Sequence, residues 1–143
     1  MSVVCSIARE VDVYVAMAHT REFAQHLGFD QIDRTRIEIA VLELSRNILV
    51  HAGSGEIQIK TTESPEAFGI TIEARDNGPG IADIELAMRD GYSTAHTLGA
   101  GLPGVRRLMD TFAIESTIGA GTYVRATKWL KGTKGSDVRG KRP

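Results

Sequence analysis

The stretch from Asp76 to Gly104, DNGPGIADIELAMRDGYSTAHTLGAGLPG, constrains this chain more than any other. It opens with an acid directly after the strand-like run Gly69-Ile70-Thr71-Ile72-Glu73-Ala74-Arg75. It closes with Gly99, Gly101 and Gly104 just ahead of a helical pattern. Glycines admit positive φ and let a ligand approach peptide N–H groups closely. A helix that starts among them offers unpaired N–H donors and the positive end of its dipole, which suits a phosphate. The stretch therefore reads as a nucleotide site, with the acid reading the base and the glycines cradling the phosphates.

At 143 residues the size is that of one domain, and the 42% apolar share is enough for a core. No apolar run approaches the ~20 residues of a membrane span, and the first residues lack a signal-peptide pattern. With Cys5 as the single cysteine, no internal disulfide or cysteine metal cluster can form, so the default compartment is the cytoplasm. Cys5 itself sits in an apolar run and reads as a core residue. The overall charge of −1 is unevenly spread: residues 131–143 carry +4, leaving −5 for residues 1–130. The boundary falls there, with a folded domain over 1–130 and a basic, disordered tail over 131–143. A mildly acidic folded part argues against a nucleic-acid binder.

The periodicities predict the order β-α-α-β-β-α-α-β-β. Val3 to Ile7 is a first strand, and Asp12 to Leu27 a helix closed by Gly28. Gln31 to His51 is a second helix, capped by Asp30 or Asp33, with Ile37, Val41, Leu44 and Ile48 as its core seam. Glu56–Thr62 and Phe68–Ala74 form a hairpin through Ser64-Pro65-Glu66. Short helices follow at Ile81–Met88 and Leu102–Asp110. A second strand pair, Phe112–Ser116 and Thr122–Leu130, turns at Gly119-Ala120-Gly121. Hairpins outnumber crossovers, so the expected class is α+β: two layers, with helices on one face of a mixed, mostly antiparallel sheet.

Glu43 and Asn47, at i and i+4, stack on one side of the second helix, about 100° from the Leu44 and Ile48 seam. Together they could serve as general base and Mg²⁺ ligand, although alone such a pair is usually a solvated helix face. Asp76-Asn77-Gly78-Pro79-Gly80 is good turn chemistry, yet an Asp at a strand end can also accept from an exocyclic amine. Gly99 to Gly104 matches G-x-G-x-x-G, but the polar loop before it and the lack of an acid about 20 residues on exclude a Rossmann site. Gly135 to Lys141 matches G-x-x-x-x-G-K, with Arg142 where Ser or Thr belongs and no helix to follow. His19, His26, His51 and His96 are too scattered for a metal site, and neither a nucleophile elbow nor the protein-kinase signature set is present.

Glu43-Leu44-Ser45-Arg46-Asn47, then Asp76-Asn77-Gly78-Pro79-Gly80, then Leu98 to Gly104, then Gly121-Thr122 resemble, in this order, the GHKL (Bergerat-fold) ATP-binding superfamily. The small size, and Asp90-Gly91-Tyr92-Ser93-Thr94 running through Gly99 to Asp110, look like the RsbT-type switch serine/threonine kinases of the stressosome. The resemblance spans about residues 3–130. It implies ATP and Mg²⁺ as cofactors, with Glu43 as general base and Asn47 as the Mg²⁺ ligand. Asp76 would bond the adenine amine, Thr122 would support it through its hydroxyl or water, and Gly78 and Gly80 would shape the base pocket. Residues 82 to 103 would form the ATP lid, with Leu98, Gly99, Ala100, Gly101, Leu102 and Gly104 binding nucleotide and the three glycines facing phosphates.

Dimerisation helices and a phospho-acceptor His domain are not legible in these residues. The resemblance is therefore to kinases of partner-switching modules. It implies STAS-domain stressosome proteins as substrates, and a PP2C-type phosphatase or other output enzyme as the partner activated on release. Neither nucleic acid nor membrane is an expected partner. Two alternatives stand beside this: an anti-sigma factor kinase that phosphorylates an anti-anti-sigma STAS protein, and a non-catalytic ATP-binding adaptor. The family pattern offers no role for the basic tail.

Overall fold

The computed structural model describes residues 1–89 and 101–130. The element order is β1 (Ser2–Ile7), α1 (Glu10–Leu27), α2 (Gln31–His51), β2 (Gly55–Glu63), β3 (Phe68–Asp76), α3 (Ile84–Ala87), α4 (Gly101–Leu108), β4 (Thr111–Thr117) and β5 (Gly121–Trp129). The strands form one five-stranded sheet in the order β1-β2-β3-β5-β4. Its four pairings are all antiparallel, where a mixed sheet was expected. The α1–α2 hairpin returns the chain so that β2 runs against β1, and the two remaining hairpins keep the alternation.

Local chemistry sets the helix ends. At the start of α1 the Asp12 carboxylate accepts the Ala8 and Arg9 N–H groups, both at 2.9 Å. These bonds hold its carboxyl below the usual range despite a partial opposing burial effect. Gly28 ends α1 in the left-handed region at φ +96°, donating its N–H to Gln25. Of the candidate caps for α2, Asp30 does the work, accepting the Asp33 N–H at 2.8 Å. The third helix is shorter than the pattern suggested. Asp83 caps a single turn through the Leu86 N–H, and α3 buries no side chain that would extend it.

The register puts Ile57, Ile59, Ile70, Ile72, Val124 and Ala126 on one face of the sheet. There they meet Ile37, Val41, Leu44 and Ile48 of α2, as the seam predicted, along with Phe23, Phe29 and Val105. At roughly 1.5–3 kcal/mol for each fully buried aliphatic or Phe side chain, this layer is the main stabilising term. The opposite face is polar, and none of the described helices covers it. At its centre Glu73 is buried by its own neighbours: Lys60 Nζ at 3.0 Å, Arg75 at 3.2 Å and the Tyr123 hydroxyl at 3.1 Å. Thr71 and Thr127 share a buried hydroxyl–hydroxyl bond of 2.8 Å beside it. Cys5 is in the core as expected, and burial pushes its thiol up.

Candidate functional site

Glu43 lies on the side of α2 turned toward α4, and it is only 3% exposed, so it is no solvated helix residue. Its Oε1 accepts the Gly101 N–H at 3.1 Å. This bond joins the middle of α2 to the first residue of α4. Gly101 takes φ +71° as it enters the helix. Asn47 sits one turn further along α2, half-buried. The pair therefore puts side-chain oxygens of both residues on one face of α2, with their Cβ atoms about 5–6 Å apart by helix geometry. Such a donor set fits Mg²⁺, which keeps several waters and takes phosphate oxygens beside one or two protein ligands.

The second cluster is built by strands. Asp76 is the last residue of β3, two residues beyond the expected strand end, and stands directly opposite Thr122 of β5. Its Oδ1 accepts the Gly78 N–H at 2.9 Å, closing a tight Asx turn. Among the described residues Oδ2 keeps its lone pairs for a ligand. Gly121, at φ +117°, passes so close to the Asp76 carbonyl that a Cβ there would collide with it. Gly80, at φ +82°, is pressed in the same way against the Thr117 carbonyl. A Cβ at Gly78 would strike Ala52 and crowd Asp76 Oδ1, at 2.6 and 3.1 Å. These glycines let the Asp76 loop fold tightly, a cradle that a larger residue would fill. A cavity of about 470 Å³ borders Asp76, lined among others by Ser6, Ala52, Ser54, Arg75 and Asn77.

The structure thus brings Glu43, Asn47 and Gly101 together, and Asp76, Gly78, Gly80 and Thr122 together, around the C-terminal half of α2. Leu102 and Gly104 belong to α4, where both are buried, and the Leu102 side chain packs in the hydrophobic core. Any part Leu102 plays in binding nucleotide runs through its backbone. Leu98, Gly99, Ala100 and in all half of the expected lid, residues 90–100, lie outside the described residues, as does the basic tail. No group of three or more His, Cys, Asp or Glu residues that could hold a metal exists among the described residues.

One residue at this site escaped the sequence reading. Ser116 of β4 accepts the Ile81 N–H at 2.7 Å, donates to the Gly121 carbonyl at 3.2 Å and shares a 2.8 Å bond with the Thr122 hydroxyl. The signal was available in principle: the Gly119–Gly121 turn sets a register that places Ser116 opposite Thr122.

Comparison with known proteins agrees with this fold. The histidine kinase-like ATPase domain family matches residues 7–128. The serine/threonine-protein kinase RsbT of Bacillus subtilis is 47% identical over 125 residues, covering 87% of this chain and 94% of that protein. The anti-sigma F factor of Thermoanaerobacter sp. is 37% identical over 102 residues, 68% of this chain and 71% of the relative. Among solved structures, a chain of the SiaB–SiaC complex from Pseudomonas aeruginosa superposes with a TM-score of 0.56 at 8% identity, covering 91% of this chain and 89% of that one. The mycobacterial sensor histidine kinase MprB gives 0.53 at 14% identity, with 90% and 96% covered. At such identities these structures speak for the fold alone. No helix among the described residues is long and apolar enough to cross a membrane. The chain belongs to the histidine kinase-like (GHKL) ATPase family and, within it, to the RsbT-type serine/threonine-protein kinases.

Proposed function

We propose that this protein transfers the γ-phosphoryl group of ATP to a serine or threonine of a small STAS-domain partner, and that release from this substrate lets it bind and activate a PP2C-type phosphatase or other output enzyme. The observation that carries the reading is Glu43. A carboxylate in mid-helix, 3% exposed, is held against the first N–H of α4, the helix start that would face the phosphates. An apolar residue would be cheaper to bury. When bound, ATP supplies the phosphoryl group, and Mg²⁺ neutralises charge on its phosphates. Glu43 takes the proton from the substrate hydroxyl as the hydroxyl oxygen bonds to the γ-phosphorus, the bond from that phosphorus to the β,γ-bridging oxygen breaks, and ADP leaves with the bridging oxygen. Asn47 holds the cation one turn away. Asp76 Oδ2 accepts the adenine amine, and Thr122 beside it completes the base contact. The start of α4 presents N–H groups to the phosphates.

The test is phosphotransfer with labelled ATP and Mg²⁺ to STAS-domain proteins of the same genome. Wild type should label a serine or threonine. Glu43→Ala should lose about 10²–10⁴-fold in rate, the usual range for a general base, with ATP and partner binding nearly unchanged. Transfer that survives in Glu43→Ala would remove the base assignment. ATP binding without transfer by wild type would favour a docking adaptor. The similarity to anti-sigma F factors supports a second reading, in which the released protein sequesters a sigma factor. Mixing the protein with a sigma factor and with a PP2C-type phosphatase separates the two by which one it retains.

A further inference from the structure

We infer that Ser116 sets the hydrogen-bond polarity of the base pocket, holding the Thr122 hydroxyl as an acceptor so that Thr122 and Asp76 together select a purine with an amine, not a carbonyl, at position 6. The inference rests on the nucleotide reading above and assigns a specificity role to a residue outside its motifs.

The argument is a proton count. Ser116 Oγ has one proton and two lone pairs. Its neighbours are the Ile81 N–H at 2.7 Å, the Gly121 carbonyl at 3.2 Å and Thr122 Oγ1 at 2.8 Å. If Ser116 donates to the carbonyl, the Ile81 N–H and the Thr122 proton fill its two lone pairs, and every contact is a hydrogen bond. If Ser116 donated to Thr122 instead, the part-buried Gly121 carbonyl would lose this hydrogen bond with nothing gained in exchange. The first arrangement wins, and it consumes the Thr122 proton. Thr122 is buried and lies directly across from Asp76. The Asp76 carboxylate also lacks a proton, and Gly78 already occupies Oδ1. The paired Asp76 and Thr122 side chains thus present acceptors without a hydroxyl donor. A 6-amino group brings N–H donors to it, whereas a 6-oxo group sets oxygen against oxygen. Pockets whose polar groups are left unmatched discriminate strongly.

Ser116 also anchors the loop through Ile81, so a purely structural role must be distinguished. The experiment titrates ATP and inosine triphosphate, which differ at position 6 and in the proton that inosine carries on N1, against the full chain. Ser116→Ala frees the Thr122 hydroxyl to rotate and donate. The wild-type preference for ATP should then narrow by about tenfold, chiefly through tighter inosine triphosphate binding. Ser116→Thr, which restores a hydroxyl, should keep the wild-type ratio. In a Thr122→Val background Ser116→Ala should leave the ratio unmoved, because no hydroxyl remains to turn. Ser116→Cys, similar in volume and a poor hydrogen bonder, takes the place of Ser116→Ala if that variant does not fold. Equal weakening of both nucleotides in Ser116→Ala, with wild type binding ATP, would reduce Ser116 to a loop anchor and overturn the inference alone. Failure of wild type to bind either nucleotide would bring down the nucleotide reading, and this inference with it.

Discussion

Single residues at this site act through geometry that their neighbours impose. Asp76 is held by its own loop, with one oxygen on the Gly78 N–H and the other free for a ligand among the described residues. Asp76→Asn keeps the shape but removes the carboxylate, and is expected to weaken ATP binding by about 1–3 kcal/mol, read by calorimetric titration. An unchanged affinity would remove Asp76 from the base pocket. Gly121→Ala should act from underneath. Its φ of +117° and the nearby Asp76 carbonyl exclude a Cβ, so the loop must shift. A cost of about 1–3 kcal/mol in urea unfolding is expected, together with weaker ATP binding. Asp76 was legible as an acid at a strand end. Ser116 was not, because its role exists only once the β4–β5 register sets it against Thr122.

Between elements, α2 and α4 are joined at both ends. Near the site the Glu43–Gly101 bond links them. At the far end Lys128 of β5, buried on the helix side, donates to the Leu108 carbonyl at 2.9 Å and lies 3.6 Å from Asp110 and 3.8 Å from Asp33. The cation thus caps the negative end of α4 and ties it to the first turn of α2. Lys128→Met leaves the Asp110 carboxylate and the Leu108 carbonyl without their cation, while Asp33 keeps Arg36 at 3.0 Å, and should cost about 3 kcal/mol, measured by the urea midpoint. Adding Asp110→Asn should recover part of that loss. No recovery would mean that packing, not charge, holds the corner. The helices themselves were legible from periodicity, and α2 matched its expected limits, Gln31 to His51. The burial of Glu43 was not, since a position 100° from the core seam is covered only because α4 packs there.

At the scale of the whole molecule, the uncovered sheet face makes stability depend on pH. Burial pushes the Glu73 carboxyl up, but hydrogen bonds from Lys60 and Tyr123 and the charges of Lys60 and Arg75 outweigh it, leaving the group below the usual range. A depressed folded value contributes stability in full above the unfolded value of about 4.3, and loses it as pH falls through the folded value. Urea midpoints should therefore drop on acidification below about pH 4.5. In Glu73→Gln the drop should be shallower. Identical acid profiles for the two proteins would place the sensitivity elsewhere, for example at Asp12.

Strand and helix order, the α2 seam, the Gly28 cap and the helix-on-sheet class were determined by the sequence alone, because each depends on neighbours within a few residues: periodicity, caps and turn glycines. The tertiary structure alone decided that the sheet is antiparallel throughout, that Asp76 belongs to β3, that Glu43 is buried against Gly101, and that Glu73 and Lys128 gather their counter-charges. Those outcomes depend on residues brought together from distant parts of the chain. Hydrogen-bond register and burial exist only once the strands have paired and α4 has docked on α2.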